Sequence, residues 1–151
     1  MKYVLERISR TLNLVSSEFI YSNSKFEAVI LDQDTRIFLV DEEPDFIECG
    51  NEILPTLINE RILSKFSALT VNMGAIPHIC NGADIMAPGV TKVSGFFTVG
   101  QLIVILEEKF SKKIAIARAL SNSSEIGEKK QGKVAENLHY IGDRFWKAIK
   151  P

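Results

Sequence analysis

The sequence is poor in the residues that build covalent scaffolds, metal centres and membrane spans. Its two cysteines, Cys49 and Cys80, stand far apart with no CxxC spacing, and only two histidines accompany them. Neither a disulfide framework nor a zinc site is suggested, and each thiol is expected to be reduced and at least half-buried. No stretch approaches the roughly 18 uncharged apolar residues needed to cross a bilayer. Charges also interrupt the opening MKYVLERISR, where a secretory signal needs an unbroken apolar core. The expectation is a soluble, cytoplasmic protein with no membrane association. A nucleophile paired with a base is missing as well, so the chain offers no catalytic residues and no cofactor is expected.

What is present is ordinary globular material: 151 residues, 46% hydrophobic and 25% charged, enough for one mid-sized domain or two small ones. The net charge of -1 hides an uneven distribution. Residues 1–68 carry 7 basic against 12 acidic side chains, a balance of -5, whereas residues 69–151 carry 11 against 7, a balance of +4. Such asymmetry points either to a basic surface for an anionic partner in the second half or to solvated faces that differ by a few charges.

Val4, Leu5, Ile8, Leu12 and Val15 recur at helical spacing, with Glu6, Arg7 and Arg10 off the stripe, and predict an amphipathic helix over 1–19. In KFEAVILDQDTRIFLVDEE, two β-branched and aromatic runs at 26–31 and 36–40 flank a polar turn and predict a hairpin. Asp41, Glu42, Glu43, Asp45, Glu48 and Glu52 follow, interrupted by Pro44. With no nearby histidine or glycine-centred ligand loop, they read as a solvated loop or a partner-facing patch. ILPTLINERILSKF then restores helical spacing, with Pro55 in the first turn, and ends the first unit near Ser67.

From Leu69 onward, short apolar runs separated by glycine and proline predict a small β-barrel or sandwich of about 80 residues. His78, beside Pro77 on an apolar strand, reads as structural, and a short turn is expected at SNSSEIGEKK, capped from Ser121, Ser123 or Ser124. His139, Tyr140, Phe145 and Trp146 invite a stacking platform, but Phe145 and Trp146 fit core positions better and Tyr140 a half-buried one.

NGADIMAPGV, residues 81–90, is too short for an independent helix and too punctuated for a plain strand. Asn81-Gly82 predicts a turn after a strand ending at Cys80, 83–87 a single helical turn, and Pro88-Gly89 its end before the next strand. A helical turn between glycines offers free amides and close approach to a phosphate. A barrel corner that needs glycine for geometry alone explains the same residues.

NGADIMAPGV, followed by strands and then AIARAL, resembles the signature of PUA domains, small pseudobarrels found in RNA-modifying enzymes and translation factors. GKVAENLHYIGDRFWK, residues 132–147, resembles the C-terminal motif of the malignant T-cell-amplified sequence family and the related ligatin translation factors. The resemblance implies an α+β protein: a small N-terminal α/β pre-PUA domain over 1–68 and a C-terminal PUA β-pseudobarrel over 69–151. It implies RNA binding without catalysis on a face including Gly82, Ala83, Asp84, Ile85, Met86, Ala87, Pro88, Gly89, Val90 and Lys92. Arg118, Gly132 and Lys133 join that face from later strands. Asp84, acidic on an anion-binding face, would cap the helix start or meet a ribose hydroxyl. The implied partner is structured RNA, tRNA or ribosomal RNA, together with a small ribosomal subunit or a translation-factor partner. The alternative is an RNA-binding accessory subunit of a tRNA-modifying enzyme such as archaeal tRNA-guanine transglycosylase.

Overall fold

The β-rich run before residue 41 folds as a hairpin. Strands β1 (Phe26–Ile30) and β2 (Thr35–Val40) pair antiparallel, with Val29 opposite Ile37, and Asp32 Oδ1 accepts the Asp34 N–H at 2.9 Å in the turn. The computed structural model describes residues 2–12 and 24–150 and divides the chain into two compact units, Met1–Ser64 and Lys65–Pro151.

The acidic stretch expected as a loop is instead largely a strand. β3 (Glu43–Cys49) pairs antiparallel with β2, and β4 (Glu52–Pro55) pairs with β3, giving the order β1-β2-β3-β4. Phe46 and Ile47 explain the difference, because both are fully buried and need a sheet position between the acids. Asp41 and Glu42 form the two-residue turn between β2 and β3 at φ 51° and 70°, the left-handed conformation that this hairpin geometry requires. Asp41 suits the first of these positions but Glu42 replaces the glycine usual at the second, which is why the turn is faint in the sequence.

The helix expected from Leu54 to Phe66 is also divided. Leu54 and Pro55 belong to β4, and only α2 (Glu60–Leu63) is helical, capped by the Asn59 side chain, which accepts the Ile62 N–H at 3.3 Å. Spacing of three and four fits both a continuous helix and a strand followed by a capped turn; Asn59 decides for the second. The N-terminal helix is α1 (Lys2–Leu12), with Ile8 and Leu12 buried. Val15 of the expected stripe lies outside the described residues.

The second unit contains β5 (Ala68–Val71), a 3-10 turn (Met73–Ala75), α3 (Ile76–Ile79), β6 (Ile85–Met86), a second 3-10 turn (Ala87–Gly89) and β7 (Val90–Ser94). It continues with β8 (Leu102–Glu107), β9 (Lys113–Ala119), α4 (Ser123–Ile126), β10 (Lys133–Tyr140) and α5 (Arg144–Ile149). The sheet order is β6-β10-β9-β8-β5-β7, with β5 and β8 parallel and the other pairings antiparallel. Its two edge strands are joined by Ala87–Gly89 alone. A flat sheet of this width would hold those edges about 24 Å apart, whereas the connection spans at most about 14 Å. The sheet must therefore curl, and it closes around Leu69, Val71, Phe97, Ile103, Ile105 and Val134.

Candidate functional site

The residues after β5 depart from the expected strand. Asn72 has an extended backbone and its Oδ1 accepts the Ala75 N–H at 3.0 Å, starting a 3-10 turn that runs directly into α3. Pro77 sits in the first turn of α3, where its missing N–H costs nothing. Asn81-Gly82 thus closes a helix and not a strand: the Gly82 N–H reaches the Ile79 carbonyl at 3.0 Å. Gly82 has φ +98°, a backbone conformation that calls for glycine, and a Cβ there would also press the Tyr140 hydroxyl at 3.3 Å.

The helical turn expected over 83–87 is likewise absent. Ile85 and Met86 form the edge strand β6 against β10, and the helical turn comes later, at Ala87–Gly89. Cross-strand bonds outcompete a helix here. The Ala87 N–H donates to the Gly132 carbonyl at 2.8 Å, Met86 stands opposite Lys133 and Ile85 opposite Ala135. Asp84 neither caps a helix nor lies open. Its Oδ1 accepts the Asn137 N–H at 2.9 Å and its Oδ2 meets Lys133 Nζ at 3.0 Å. The Asn137 N–H, helped by Lys133 and opposed by burial, holds its carboxyl below the usual value. The Asn137 amide completes the latch by donating to the carbonyls of Ile79 and Ala83 at 3.0 and 2.9 Å.

This latch fixes the 83–89 segment opposite the first helical pieces and leaves an open groove of about 450 Å³ between them. Asn72, Gly74, Ala75 and His78 supply one wall, and Ala83, Asp84, Met86, Pro88 and Gly89 the other, over a floor that includes Val71. The Asn72 N–H donates to the Gly89 carbonyl at 2.9 Å, tying the walls together. His78 is exposed on this groove rather than buried on a strand. Asn72, Gly74, Ala75 and His78 were not among the expected site residues. The Asn-capped turn with Pro77 behind it was the signal that would have found them.

The thirteen expected site residues are therefore only partly brought together. Gly82 lies at the helix end beside Tyr140, and Gly132 and Lys133 do not line the groove but stand behind its β6 wall, bonded to Ala87 and Asp84. Val90 is half-buried, and Lys92 is exposed on β7 opposite Thr70, just past the groove. Arg118 lies elsewhere. Its strand partners are Leu102 and Glu136, and its Nη1 donates to the Gly100 carbonyl at 2.9 Å.

In the aromatic tail Phe145 is buried as expected, whereas Trp146, expected in the core, is only half-buried, with the Lys150 ammonium 5.2 Å from its ring centroid. His139 is fully buried, with Nδ1 2.9 Å from Asp143 Oδ2 and its ring edge-on to Phe145. Asp143 caps α5 by accepting the Trp146 N–H at 2.7 Å. Burial pushes the Asp143 carboxyl up, but the His139 ring and the N–H groups of Trp146 and Tyr140 outweigh it and leave the group below its usual value. Burial raises the Cys80 thiol, opposed by the Lys112 ammonium. Among the described residues, no group of three or more His, Cys, Asp or Glu side chains is placed to hold a metal ion, and no helix is long and apolar enough to cross a membrane.

The PUA domain family model matches residues 67–141. An uncharacterized protein of Methanocaldococcus jannaschii is 35% identical over 130 residues, covering 85% of this chain and 80% of that protein. Translation machinery-associated protein 20 of Saccharomyces cerevisiae is 27% identical over 139 residues, covering 87% of this chain and 77% of its own length. The crystal structure of a hypothetical protein from Pyrococcus horikoshii superposes with a TM-score of 0.80 at 29% identity, covering 99% of this chain and 94% of that one.

Proposed function

Because the chain belongs to the PUA-domain family, we propose that it binds structured RNA, tRNA or ribosomal RNA, in the groove between 72–79 and 83–89, without catalysis and in a translation-linked role. The observation that carries the proposal is the latched groove itself. The Asp84, Lys133 and Asn137 network holds the 83–89 backbone in place before any ligand arrives, so little ordering cost remains at binding. Met86 is exposed at its edge and provides an adaptable apolar contact for a base. Lys133 uses one of its donors on Asp84 and keeps others for a phosphate, while Lys92 extends the cationic path along β7. Recognition of this kind reads shape and unpaired ends, as suits RNA. The similarity to a protein named for its association with the translation machinery supports the translation setting.

The test is titration of labelled tRNA with the full chain at several salt concentrations. Combined K92Q and K133Q substitutions are expected to weaken binding and to reduce the salt slope by about 1.4 to 1.8. R118Q, away from the groove, is expected to change little. Unchanged affinity in the double variant would overturn the groove assignment. Co-sedimentation with small ribosomal subunits supports the translation role, whereas co-purification of a transglycosylase chain would replace it with the accessory-subunit role.

A further inference from the structure

The turn between β8 and β9, Glu108 to Lys112, presents one of the most exposed large apolar side chains among the described residues: Phe110 is 76% exposed. Three lysines surround it in sequence, Lys109, Lys112 and Lys113, and the Lys109 ammonium lies 5.2 Å from the Phe110 ring centroid. An exposed aromatic ring on a floppy loop is common and means little. This one is held.

The hold comes from Glu107, whose buried carboxylate turns inward and accepts the N–H groups of Phe110 and Lys112. Backbone bonds from Ser111 N–H to the Glu107 carbonyl at 3.1 Å and from Glu107 N–H to the Lys112 carbonyl at 3.0 Å close the turn. Ser111 occupies a left-handed conformation, φ 56°, to make that closure. Glu108 is also committed to a backbone group, its Oε1 accepting the Met73 N–H at 3.0 Å. Both acids of the turn thus point at N–H groups, and the outward-facing chemistry is an aromatic ring among ammonium groups.

The same bonds place the turn next to the groove. Met73 opens the 3-10 turn whose Gly74 and Ala75 form one groove wall, and Val71 of the groove floor stands opposite Glu107 in the parallel pairing of β5 with β8. Lys112 acts electrostatically on Cys80 at the end of α3. The turn therefore flanks the outer side of the wall whose inner side lines the groove.

We propose that the β8–β9 turn is a second RNA contact, in which an unpaired base stacks on Phe110 while Lys109 and Lys112 neutralise the flanking phosphates, so that a strand leaving the groove continues over the α3 wall. The inference rests on the groove reading. A preorganised ring beside an ammonium, with a further exposed lysine two residues on, is the kind of arrangement that binds single-stranded nucleic acid without sequence preference. A protein-binding aromatic anchor is typically set in an apolar surround with charge depleted at its core, the opposite of what surrounds Phe110.

The experiment uses the full chain with a labelled tRNA and, separately, a short oligouridylate. F110A is expected to weaken binding to both by about 5- to 150-fold, the range for loss of one stacked base, and F110W to restore it. K109Q with K112Q is expected to flatten the salt slope by about 1.4. The substituted side chains face outward, and an unchanged thermal melt confirms that the fold is intact. If wild type binds tRNA and the K92Q/K133Q variant loses affinity while both turn variants bind like wild type, the inference is overturned and the groove stands. The same holds if F110A abolishes only capture of a protein partner. If wild type binds no RNA, both fall together.

Discussion

The two units treat their carboxylates differently. In the first, Glu48 is buried and gathers two guanidiniums, ion-paired to Arg7 and accepting Arg36 Nε at 2.7 Å. Asp45 is buried with Arg61 at 3.7 Å. In the second, Glu107, Asp84 and Asp143 each direct an oxygen at backbone N–H groups and thereby close a turn, latch a loop and cap a helix. The formal charge difference along the sequence therefore understates the contrast. Acids that satisfy backbone donors hold local structure, and of the three only Asp84 also draws in a lysine, Lys133 at 3.0 Å, whereas Glu48 and Asp45 spend their oxygens on arginines.

The comparison is sharpest if the two cores are energetically alike. Phe46 and Phe97 are both essentially inaccessible, so F46A and F97A are each expected to cost about 3–5 kcal/mol in urea unfolding. F96A, at a neighbouring side chain that is 78% exposed, should stay within about 0.5 kcal/mol. A large imbalance between the two core variants would mean that one unit depends on something beyond its own packing.

Electrostatics should then separate them. E48A is expected to cost about 2 kcal/mol, because it strands two guanidiniums, only partly solvated, beside a buried site. D143A is expected to cost about 1–2 kcal/mol through the lost cap. Raising salt should shrink the first effect more than the second, since a carboxylate bound to nearby N–H groups is less screened than an ion pair reaching the surface. Equal salt sensitivity would break the comparison.

The pH dependences should run in opposite senses. Asp143 titrates below the ordinary carboxylate value in the fold. Its stabilisation is complete above that value and is lost as pH falls through the folded pKa, so the D143A penalty should vanish in strong acid. Asp45 is pushed up from 3.8 to about 6 by burial, with Arg61 opposing and Glu43 and Asp41 reinforcing. Its ionised form opposes folding above about pH 6, and that cost disappears as pH falls below the ordinary value. D45N should therefore stabilise at pH 8 and lose its advantage near pH 4 in thermal melts. The smallest effect is expected at the strained turn of the first unit, where E42G should stabilise by about 1 kcal/mol by removing a left-handed glutamate.

Much of the fold was legible in local pattern. The hairpin at 26–40, the strands β5 and β7 to β10 and the short turn at 123–126 follow from periodicity and punctuation, although Asn122 and not Ser121, Ser123 or Ser124 holds the cap position of that turn. The readings that changed have two causes, strand partners distant in sequence and local asparagine caps at Asn59 and Asn72. Residues 83–87 were expected as a helical turn, yet β10 offers Ile85 and Met86 cross-strand partners some fifty positions away. Residues 54–66 satisfy helical spacing, yet Phe46 and Ile47 draw Leu54 and Pro55 into a strand. At the groove, glycine and proline marked one wall, while the Asn72 cap that forms the other was passed over because the surrounding residues are apolar and read as strand.

The family was legible in the sequence only as a resemblance carried by the motifs at 81–90 and 132–147. Local pattern alone determined the mixture of helix and strand and the segment where a backbone must approach something closely, because glycine, proline and apolar periodicity act through φ, ψ and burial within a few residues. Tertiary structure decided which cations share a surface. Lys133 is brought beside Asp84 of the groove wall by its pairing opposite Met86, Arg118 is tied to the Gly100 carbonyl away from it, and Phe110 is raised beside the groove wall by a buried glutamate. Charge is a property of the chain, but its usefulness to a ligand depends on which neighbours have already claimed it, and those neighbours are set by strand register and sheet closure.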